Sequence, residues 1–323
     1  MSDPLPLNTR IRIGTMAQAI DREHARSTIA ALSEWGYEAV WCGDHVAFTG
    51  PMSDPLTQLT YFSALNPNLT YGTSVYLLPL RHPTTVAKVV GTLDRLMGVG
   101  HFIFGVGVGG EFPPEYEACG VPLKHRGGRA NEGIEIMKRL WSGEPTEYRG
   151  KYFSFGKITM LPKPLTPGGP PIWIGGRAES ALRRAATLGD GWMPYVVTPK
   201  RVADGLELIA READKAGRRF ERFGTMIHLF TTLGRTYEAA LDVAARHLSK
   251  RYATDFREPT KRYAAIGEPA DVAARIAEFI KAGIRDVGVD IVSNSSDRDA
   301  QLEQFAKEVI PLLRRDERSL VGR

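Results

Sequence analysis

The residues best suited to chemistry lie in the stretch 170–192, which reads PPIWIGGRAESALRRAATLGDGW. An apolar run, 172–174, ends in Gly175-Gly176-Arg177, and an amphipathic, alanine-rich segment follows. A strand, a glycine turn and the start of a helix together offer backbone N–H groups and a cationic side chain to a phosphate. The same pattern also fits a tight turn in which glycine only supplies a positive φ. These residues alone leave both interpretations open.

A second candidate is His45, which follows the apolar run 39–42 in a Gly-Asp-His turn. An imidazole at the end of a strand can transfer a proton near neutral pH. It can equally be a structural group that bonds to the backbone of its loop, with Asp44 as a simple cap. The position of His45 in the sequence favours neither interpretation.

A third candidate is the glycine-rich run 105–110, GVGVGG, which formally matches G-x-G-x-x-G. The dinucleotide fingerprint also needs a helix directly after the glycines and an acidic residue at the end of the next strand. Pro113 and Pro114 disfavour an immediate helix and no such strand follows, so the dinucleotide interpretation is rejected. We expect the glycines to let the backbone approach a flat ligand, with Glu111 beside it.

Several other classes of protein lack support in the sequence. The seven histidines are scattered, without the spacing of a metal site, and there is no nucleophile elbow or P-loop. The net charge of +5 is spread along the chain without a basic stripe, so no nucleic-acid partner is expected. Two distant cysteines, no signal pattern and no apolar run of membrane-spanning length predict a cytoplasmic protein without a membrane partner.

The elements that must position these residues follow a repeating strand–helix pattern. Eight strands are predicted, nearly all followed by helices, at 11–16, 39–42, 69–78, 101–106, 172–174, 192–197, 224–232 and 286–292. This count predicts an α/β fold, a (β/α)8 TIM barrel forming a single domain over 1–323, with a doubly wound sheet as the alternative. An insertion of about 112–169, with a short hairpin around 148–155, separates strands four and five. A longer connection, with a polar loop at 252–266, separates strands seven and eight. In such barrels the chemistry lies at the ends of the strands.

Five stretches of the sequence together resemble the bacterial luciferase-like monooxygenase family, whose members are flavin or deazaflavin (F420) enzymes built on a TIM barrel. The stretches are CGDH at 42–45, PLRHPTTVAKVVGTLDRL at 79–96, FGVGVGGEFPPEYEACGVP at 104–122, RGGRANEGIEIMKRLW at 126–141 and the stretch 170–192. The resemblance covers nearly the whole chain.

The resemblance implies roles for individual residues. His45 matches the histidine that faces the flavin ring, and Glu111 lies near the position of a catalytic glutamate in some dehydrogenase members, although this chain has one more glycine before it. The pair Ser74-Val75 matches the site of a non-prolyl cis peptide that supports the ring. The implied cofactor-binding residues are Ser74, Val75, Gly107, Val108, Gly109 and, for the phosphate, Gly175, Gly176 and Arg177.

The function implied by the resemblance is the oxygenation of a small organic substrate with reduced FMN and O2. The alternative is an F420-dependent oxidoreductase or dehydrogenase that transfers a hydride. A phosphosugar aldolase or isomerase on the same barrel is a more distant alternative, because no lysine lies at a strand end. The expected partners are the small-molecule substrate, a separate flavin reductase and a second copy of the chain in a homodimer.

Overall fold

Parallel β-strands alternate with α-helices along most of the chain in the computed structural model, which describes residues 3–48 and 50–322. These residues form two compact units. Unit 1 contains the described residues of 1–16, 32–39 and 193–323, and unit 2 contains 17–31 and 40–192. Among the described residues, no helix has the length and apolar character needed to cross a membrane.

The strands and helices are numbered in chain order. The strands are β1 Arg12–Met16, β2 Ala39–Cys42, β3 Thr70–Thr73, β4 Tyr76–Leu77, β5 Phe102–Gly107, β6 Thr146–Arg149, β7 Ser154–Ile158, β8 Ile172–Gly175, β9 Gly191–Met193, β10 Gly224–Leu233, β11 Ala265–Gly267 and β12 Asp286–Ile291. The helices are α1 Arg22–Glu34, α2 Pro55–Leu65, α3 Pro83–Met97, α4 Pro113–Ala118, α5 Arg126–Leu140, α6 Glu179–Thr187, α7 Pro199–Lys215, α8 Tyr237–Tyr252, α9 Arg257–Tyr263, α10 Pro269–Lys281, α11 Arg298–Gln304 and α12 Ile310–Val321.

The sheet of unit 2 has the strand order β2-β3-β5-β8, with β4 also pairing with β5. The β3–β5, β4–β5 and β5–β8 pairs are parallel. Every residue of these strands is buried, as expected for a parallel sheet that is covered on both faces. Trp41 of β2 and Trp173 of β8 stack with ring centroids 5.9 Å apart in this core. The parallel arrangement brings the carboxyl ends of the strands to one edge of the sheet.

The sheet of unit 1 has the order β11-β10-β12-β1, and its pairs are also parallel. The long strand β10 pairs with β12 over six residues, from Met226 opposite Asp286 to Thr231 opposite Ile291. Helix α8 covers this region with a buried face of small and branched residues that packs on Phe230 and Val292. The apolar face of α8 follows from residues spaced three and four apart.

Each of the eight predicted strands is present, and the predicted hairpin near 148–155 is confirmed as β6 and β7. The third predicted strand is divided into β3 and β4 at Ser74–Val75, and the sixth is shorter than predicted. The predicted polar loop 252–266 is wrong, because it contains α9 and β11.

The expectation that Pro113 and Pro114 disfavour a helix directly after the glycine run is wrong, since α4 begins at Pro113. Proline is well tolerated in the first turn of a helix, where its missing N–H would have no partner in the helix. Helix α2 has the same kind of start and was not predicted. The sequence does contain a signal for this helix, because Asp54, a residue type that caps helices, directly precedes Pro55. In the structure the carboxylate of Asp54 accepts a hydrogen bond from the N–H of Thr57 at 2.9 Å.

Candidate active site

The predicted site residues all belong to unit 2, at the carboxyl ends of its parallel strands. His45 follows β2, Ser74-Val75 follows β3, Gly107–Gly109 ends and follows β5, and Gly175–Arg177 ends and follows β8. Because these strands are parallel neighbours, their ends meet at one edge of the sheet. The sequence therefore identified one contiguous edge, although the residues come from four separate parts of the chain.

The side chain of His45 is held by Glu115, a residue that the sequence analysis did not single out. The imidazole Nδ1 lies 3.1 Å from each carboxylate oxygen of Glu115. The N–H of Val46 donates to the same carboxylate at 3.2 Å. The Glu115 side chain is completely buried, whereas about a fifth of the His45 side chain is exposed. A buried carboxylate thus fixes an imidazole that still reaches solvent.

This contact determines which imidazole nitrogen is available for chemistry. An ionised carboxylate can only accept hydrogen bonds, so we assign the proton of neutral His45 to Nδ1. Nε2 then keeps its lone pair and can accept a proton. The ring is also oriented by Phe48, which stacks on it with centroids 4.1 Å apart and planes 13° apart. The pair of His45 and Glu115 is an oriented base, in the sense that catalytic dyads require.

Glu111 lies in a different environment. It is exposed in the bend between β5 and α4, whereas Glu115 is on the first turn of α4 with its side chain buried. Of these two acidic residues, the one within hydrogen-bond distance of His45 is Glu115. The helix that the prolines were expected to disfavour is the element that carries it. For this reason no local pattern in the sequence places Glu115 beside His45.

A buried ion pair fixes the segment that carries His45. Both carboxylate oxygens of Asp44 accept hydrogen bonds from the guanidinium of Arg81, and the Arg81 Nη2–Asp44 Oδ1 distance is 2.8 Å. The N–H of Leu77 donates to Asp44 at 2.8 Å. Asp44 is therefore more than a cap, since it joins the end of β2 to β4 and to the start of α3.

Val75 is enclosed by two glycines at the ends of neighbouring strands. The Ser74–Val75 peptide bond is cis, as the resemblance implies. A Cβ added to Gly175 would lie 2.6 Å from Cγ1 of Val75, and a Cβ on Gly107 would be closer still to Cγ2. The missing side chains of Gly107 and Gly175 thus make room for Val75. This packing gives Gly107 and Gly175 a role in the fold, beside the expected roles of Gly107 near a flat ligand and of Gly175 near a phosphate.

The close packing around Val75 leads to a stability prediction. Gly175→Ala is expected to lower the free energy of unfolding by about 1–3 kcal/mol, because the new methyl group overlaps Val75. Adding Val75→Ala should restore part of this loss, so that a double-mutant cycle in denaturant unfolding gives a favourable coupling. Gly156→Ala is the matched control, since its methyl group would meet nothing within 4 Å. If Gly175→Ala and Gly156→Ala lowered the free energy of unfolding by the same amount, the overlap with Val75 would be contradicted.

The turn after β8 has the features of a phosphate site. Gly176 has a φ of +122°, which a side chain would strain, and the indole N–H of Trp192 donates to its carbonyl at 2.8 Å. Helix α6 then begins at Glu179, and its N-cap residue Ala178 has no side chain that can cap the first N–H groups. In α2, α7 and α8 an Asp or Thr side chain does so. The uncapped, electropositive end of α6 fits the phosphate of a flavin-type cofactor.

The remaining predicted positions form the loop after β5. The carbonyl of Val108 accepts a hydrogen bond from the phenol of Tyr116, which lies next to Glu115 on α4. Gly109 and Gly110 both have positive φ. The loop is therefore tied to the helix that holds His45, so β5, α4 and the end of β2 form one hydrogen-bonded assembly.

Comparison with known proteins defines first the class of fold and then the family. The solved structure of monooxygenase RslO1 from Streptomyces bottropensis matches with a TM-score of 0.79 at 22% identity, covering 93% of this chain and 99% of that one. The protein therefore has the α/β fold of a (β/α)8 TIM barrel, as predicted. A family model described as luciferase-like monooxygenase matches residues 7–286. The chain belongs to this family.

The curated relatives differ in how much of the chain they cover. Uncharacterised proteins of Mycobacterium tuberculosis and Mycobacterium bovis are 36% identical over 169 residues, which is 52% of this chain and 57% of theirs. The matched part thus spans little more than half of their length. An F420-dependent glucose-6-phosphate dehydrogenase of Nakamurella multipartita is 26% identical over 345 residues, 97% of this chain and 98% of its own.

Proposed function

We propose that this protein is an oxidoreductase with a flavin-type cofactor, in which His45 transfers the proton that accompanies the redox step. The observation that carries the proposal is the hydrogen-bonded pair of His45 and buried Glu115 at the carboxyl end of β2. This strand edge also carries the uncapped start of α6, which suits a cofactor phosphate. A base and a phosphate site at the same edge of one parallel sheet, at the ends of β2 and β8, are what a redox enzyme with a phosphorylated cofactor requires.

Of the two cofactors, we favour F420. A relative that matches essentially the whole chain is named as an F420-dependent dehydrogenase. A deazaflavin exchanges a hydride with a carbon atom of the substrate. In that reaction Nε2 of His45 accepts the proton of a substrate hydroxyl, or returns it to a carbonyl oxygen, and Glu115 holds the ring and stabilises the imidazolium. FMN-dependent oxygenation is the second candidate, favoured by the description of the family as monooxygenases.

The experiment that separates the two is a cofactor titration of the purified protein. F420, FMN and their reduced forms are added in turn, and binding is followed by fluorescence or absorbance. Saturable binding of F420 with weak binding of FMN supports hydride transfer, and the reverse supports oxygenation. If neither cofactor binds saturably in either redox state, the proposed function is wrong.

The cofactor-binding residues have a separate test at the turn after β8. Arg177→Ala is expected to weaken cofactor binding several-fold to tenfold, since one charge-assisted contact to a phosphate contributes about 1 kcal/mol at an exposed position. The turnover number at saturating cofactor should change much less. Arg201→Ala, an exposed arginine in the first turn of α7, is the control. A lower turnover number with unchanged cofactor affinity would remove Arg177 from the phosphate site.

The proposal extends to assembly and location. Exposed apolar side chains lie on α3, at Val89 and Leu96, and just after it, at Val99. Lys88 and Arg95 of the same helix bond to the backbone of the loop 161–163. An apolar surface of this kind supports a homodimer, which light scattering would detect. Two free cysteines support a reducing cytoplasm. A separate flavin reductase is a partner only if FMN is the cofactor.

A further inference from the structure

A second histidine–carboxylate pair lies within unit 1, outside the residues discussed so far. Nε2 of His228 on β10 is 2.9 Å from Oδ2 of Asp290 on β12. In the register of these parallel strands Asp290 lies opposite Phe230. Since residues two apart on a strand share a face, the side chains of His228, Phe230 and Asp290 lie on the same face of the sheet.

Arg251 keeps the carboxylate of this pair ionised. Its Nη1 donates to the same Oδ2 of Asp290 at 2.8 Å. Burial alone would raise the pKa of Asp290, but the charge of Arg251 and the hydrogen bond from His228 outweigh it and hold that pKa well below its usual value. At neutral pH Asp290 therefore only accepts hydrogen bonds, so Nε2 of neutral His228 carries the proton and Nδ1 has the lone pair.

Nδ1 of His228 is the unused acceptor of the cluster. Among residues 3–48 and 50–322, no side chain or backbone group bonds to it, and a fifth of the His228 side chain is exposed. A purely structural link between β12 and α8 would be complete with Arg251 and Asp290 alone. The histidine adds an oriented acceptor, and this points to a ligand.

The surroundings of Nδ1 define the chemistry of that ligand. The ring of Phe230 meets the His228 ring edge-on at 5.5 Å, and the ring of Tyr195, which forms a β-bridge with His228, lies at 6.4 Å. Phe230 is buried in the core, whereas Tyr195 is half-buried, and an accessible aromatic ring favours an apolar or aromatic molecule. An acceptor nitrogen favours a molecule with a hydrogen-bond donor, and the positive charge of Arg251 is already neutralised by Asp290.

We propose that His228, held by Asp290, is a binding residue for the hydroxyl group of a small apolar alcohol or phenol. The hydroxyl donates to Nδ1 while the body of the molecule packs on the half-buried ring of Tyr195. Phe230 lies in the core and contacts the His228 ring. The proposal rests on the proposed function only in identifying this molecule as the substrate. The position of the pair also fits the fold class. Asp290 is the penultimate residue of β12, and barrel enzymes use residues near the carboxyl ends of their strands.

The first test measures the protonation of the ring directly. In protein labelled with ¹⁵N at histidine, at about pH 8 and therefore above the ordinary imidazole pKa, long-range ¹H–¹⁵N spectra should show His228 with the proton on Nε2. His228→Ala identifies its resonances. A proton on Nδ1 would overturn the proposal, because that nitrogen would then donate rather than accept.

The second test is a titration with a matched pair of probes, phenol and anisole. In anisole a methyl group replaces the hydroxyl proton of phenol, so anisole cannot donate the hydrogen bond. Phenol should shift the Nδ1 resonance of His228 in a saturable way and bind about threefold to tenfold more tightly than anisole, the range expected for one hydrogen bond. His228→Ala should abolish this preference. The control His247→Ala, which removes a ring bonded to Asn294, should retain it.

The outcomes distinguish this inference from the proposed function. Equal affinities for phenol and anisole, or no saturable shift with either, would overturn the hydroxyl site. Neither result depends on a cofactor, so F420 or FMN binding in the same protein would leave the proposed function intact. Conversely, a selective phenol response in protein that binds no cofactor would support the site and contradict the oxidoreductase.

Discussion

The variant His45→Ala is expected to lower the turnover number by about 10²- to 10⁴-fold while leaving cofactor affinity within a few-fold of the wild type. This is the range that a positioned acid–base group contributes. The physical reason is that Nε2 of His45 is the nitrogen left to move a proton once Nδ1 is bonded to Glu115. The measurement is steady-state turnover with the cofactor that the titration identifies, together with the dissociation constant of that cofactor.

The matched control is His24→Ala, since the described contacts of His24 involve its backbone rather than its ring. This variant should keep the full turnover number. An unchanged turnover number in His45→Ala would remove His45 from the mechanism, whereas parallel losses in both variants would indicate damage to the fold. Thermal unfolding of each variant separates these cases.

Glu115 is expected to act through His45. Glu115→Gln should give a turnover number between those of the wild type and His45→Ala, because an amide keeps the shape of the site but loses the charge that stabilises an imidazolium. The double variant should be no slower than His45→Ala alone, since residues that act as a unit are not additive. A further loss in the double variant would show that Glu115 has a separate effect.

The second large effect is expected for Arg81→Ala, which should lower the free energy of unfolding by about 3 kcal/mol. Removing one partner of a buried ion pair costs about 3–5 kcal/mol, because the other charge stays buried without its counter-charge. The lower end applies since a fifth of the Arg81 side chain is exposed, while Asp44 is completely buried. The hydrogen bond from the Leu77 N–H remains in the variant. Denaturant unfolding measures the difference.

An exposed ion pair provides the control. Lys200 and Asp204 lie one turn apart on α7, and the Lys200 side chain is 82% exposed. Lys200→Ala is expected to change the free energy of unfolding by less than about 0.5 kcal/mol, because solvent screens such pairs. If Arg81→Ala were as mild as Lys200→Ala, the Asp44–Arg81 pair would not be a stabilising link between the end of β2 and the start of α3.

The glycine turn after β8 shows how far the sequence pattern could go. An apolar run, two glycines, an arginine and an amphipathic segment predicted a strand, a turn and a helix, and these are β8, Gly175–Arg177 and α6. The pattern could not show which of the two glycines is needed for its missing side chain and which for its positive φ. Only the structure shows that Gly175 makes room for Val75, a residue 100 positions earlier, while Gly176 adopts the positive φ.

The sequence by itself determined the order of the eight predicted strands, the class of fold and the strand ends at which to look for chemistry, but it missed α2, α4, α9 and β11. It could do so because hydrophobic periodicity and turn residues act over a few neighbours along the chain. The partners of the site residues were decided by tertiary structure. Glu115 is 70 residues from His45 and Asp290 is 62 residues from His228. Such pairs form only after parallel strands and their helices have packed, so no local pattern encodes them.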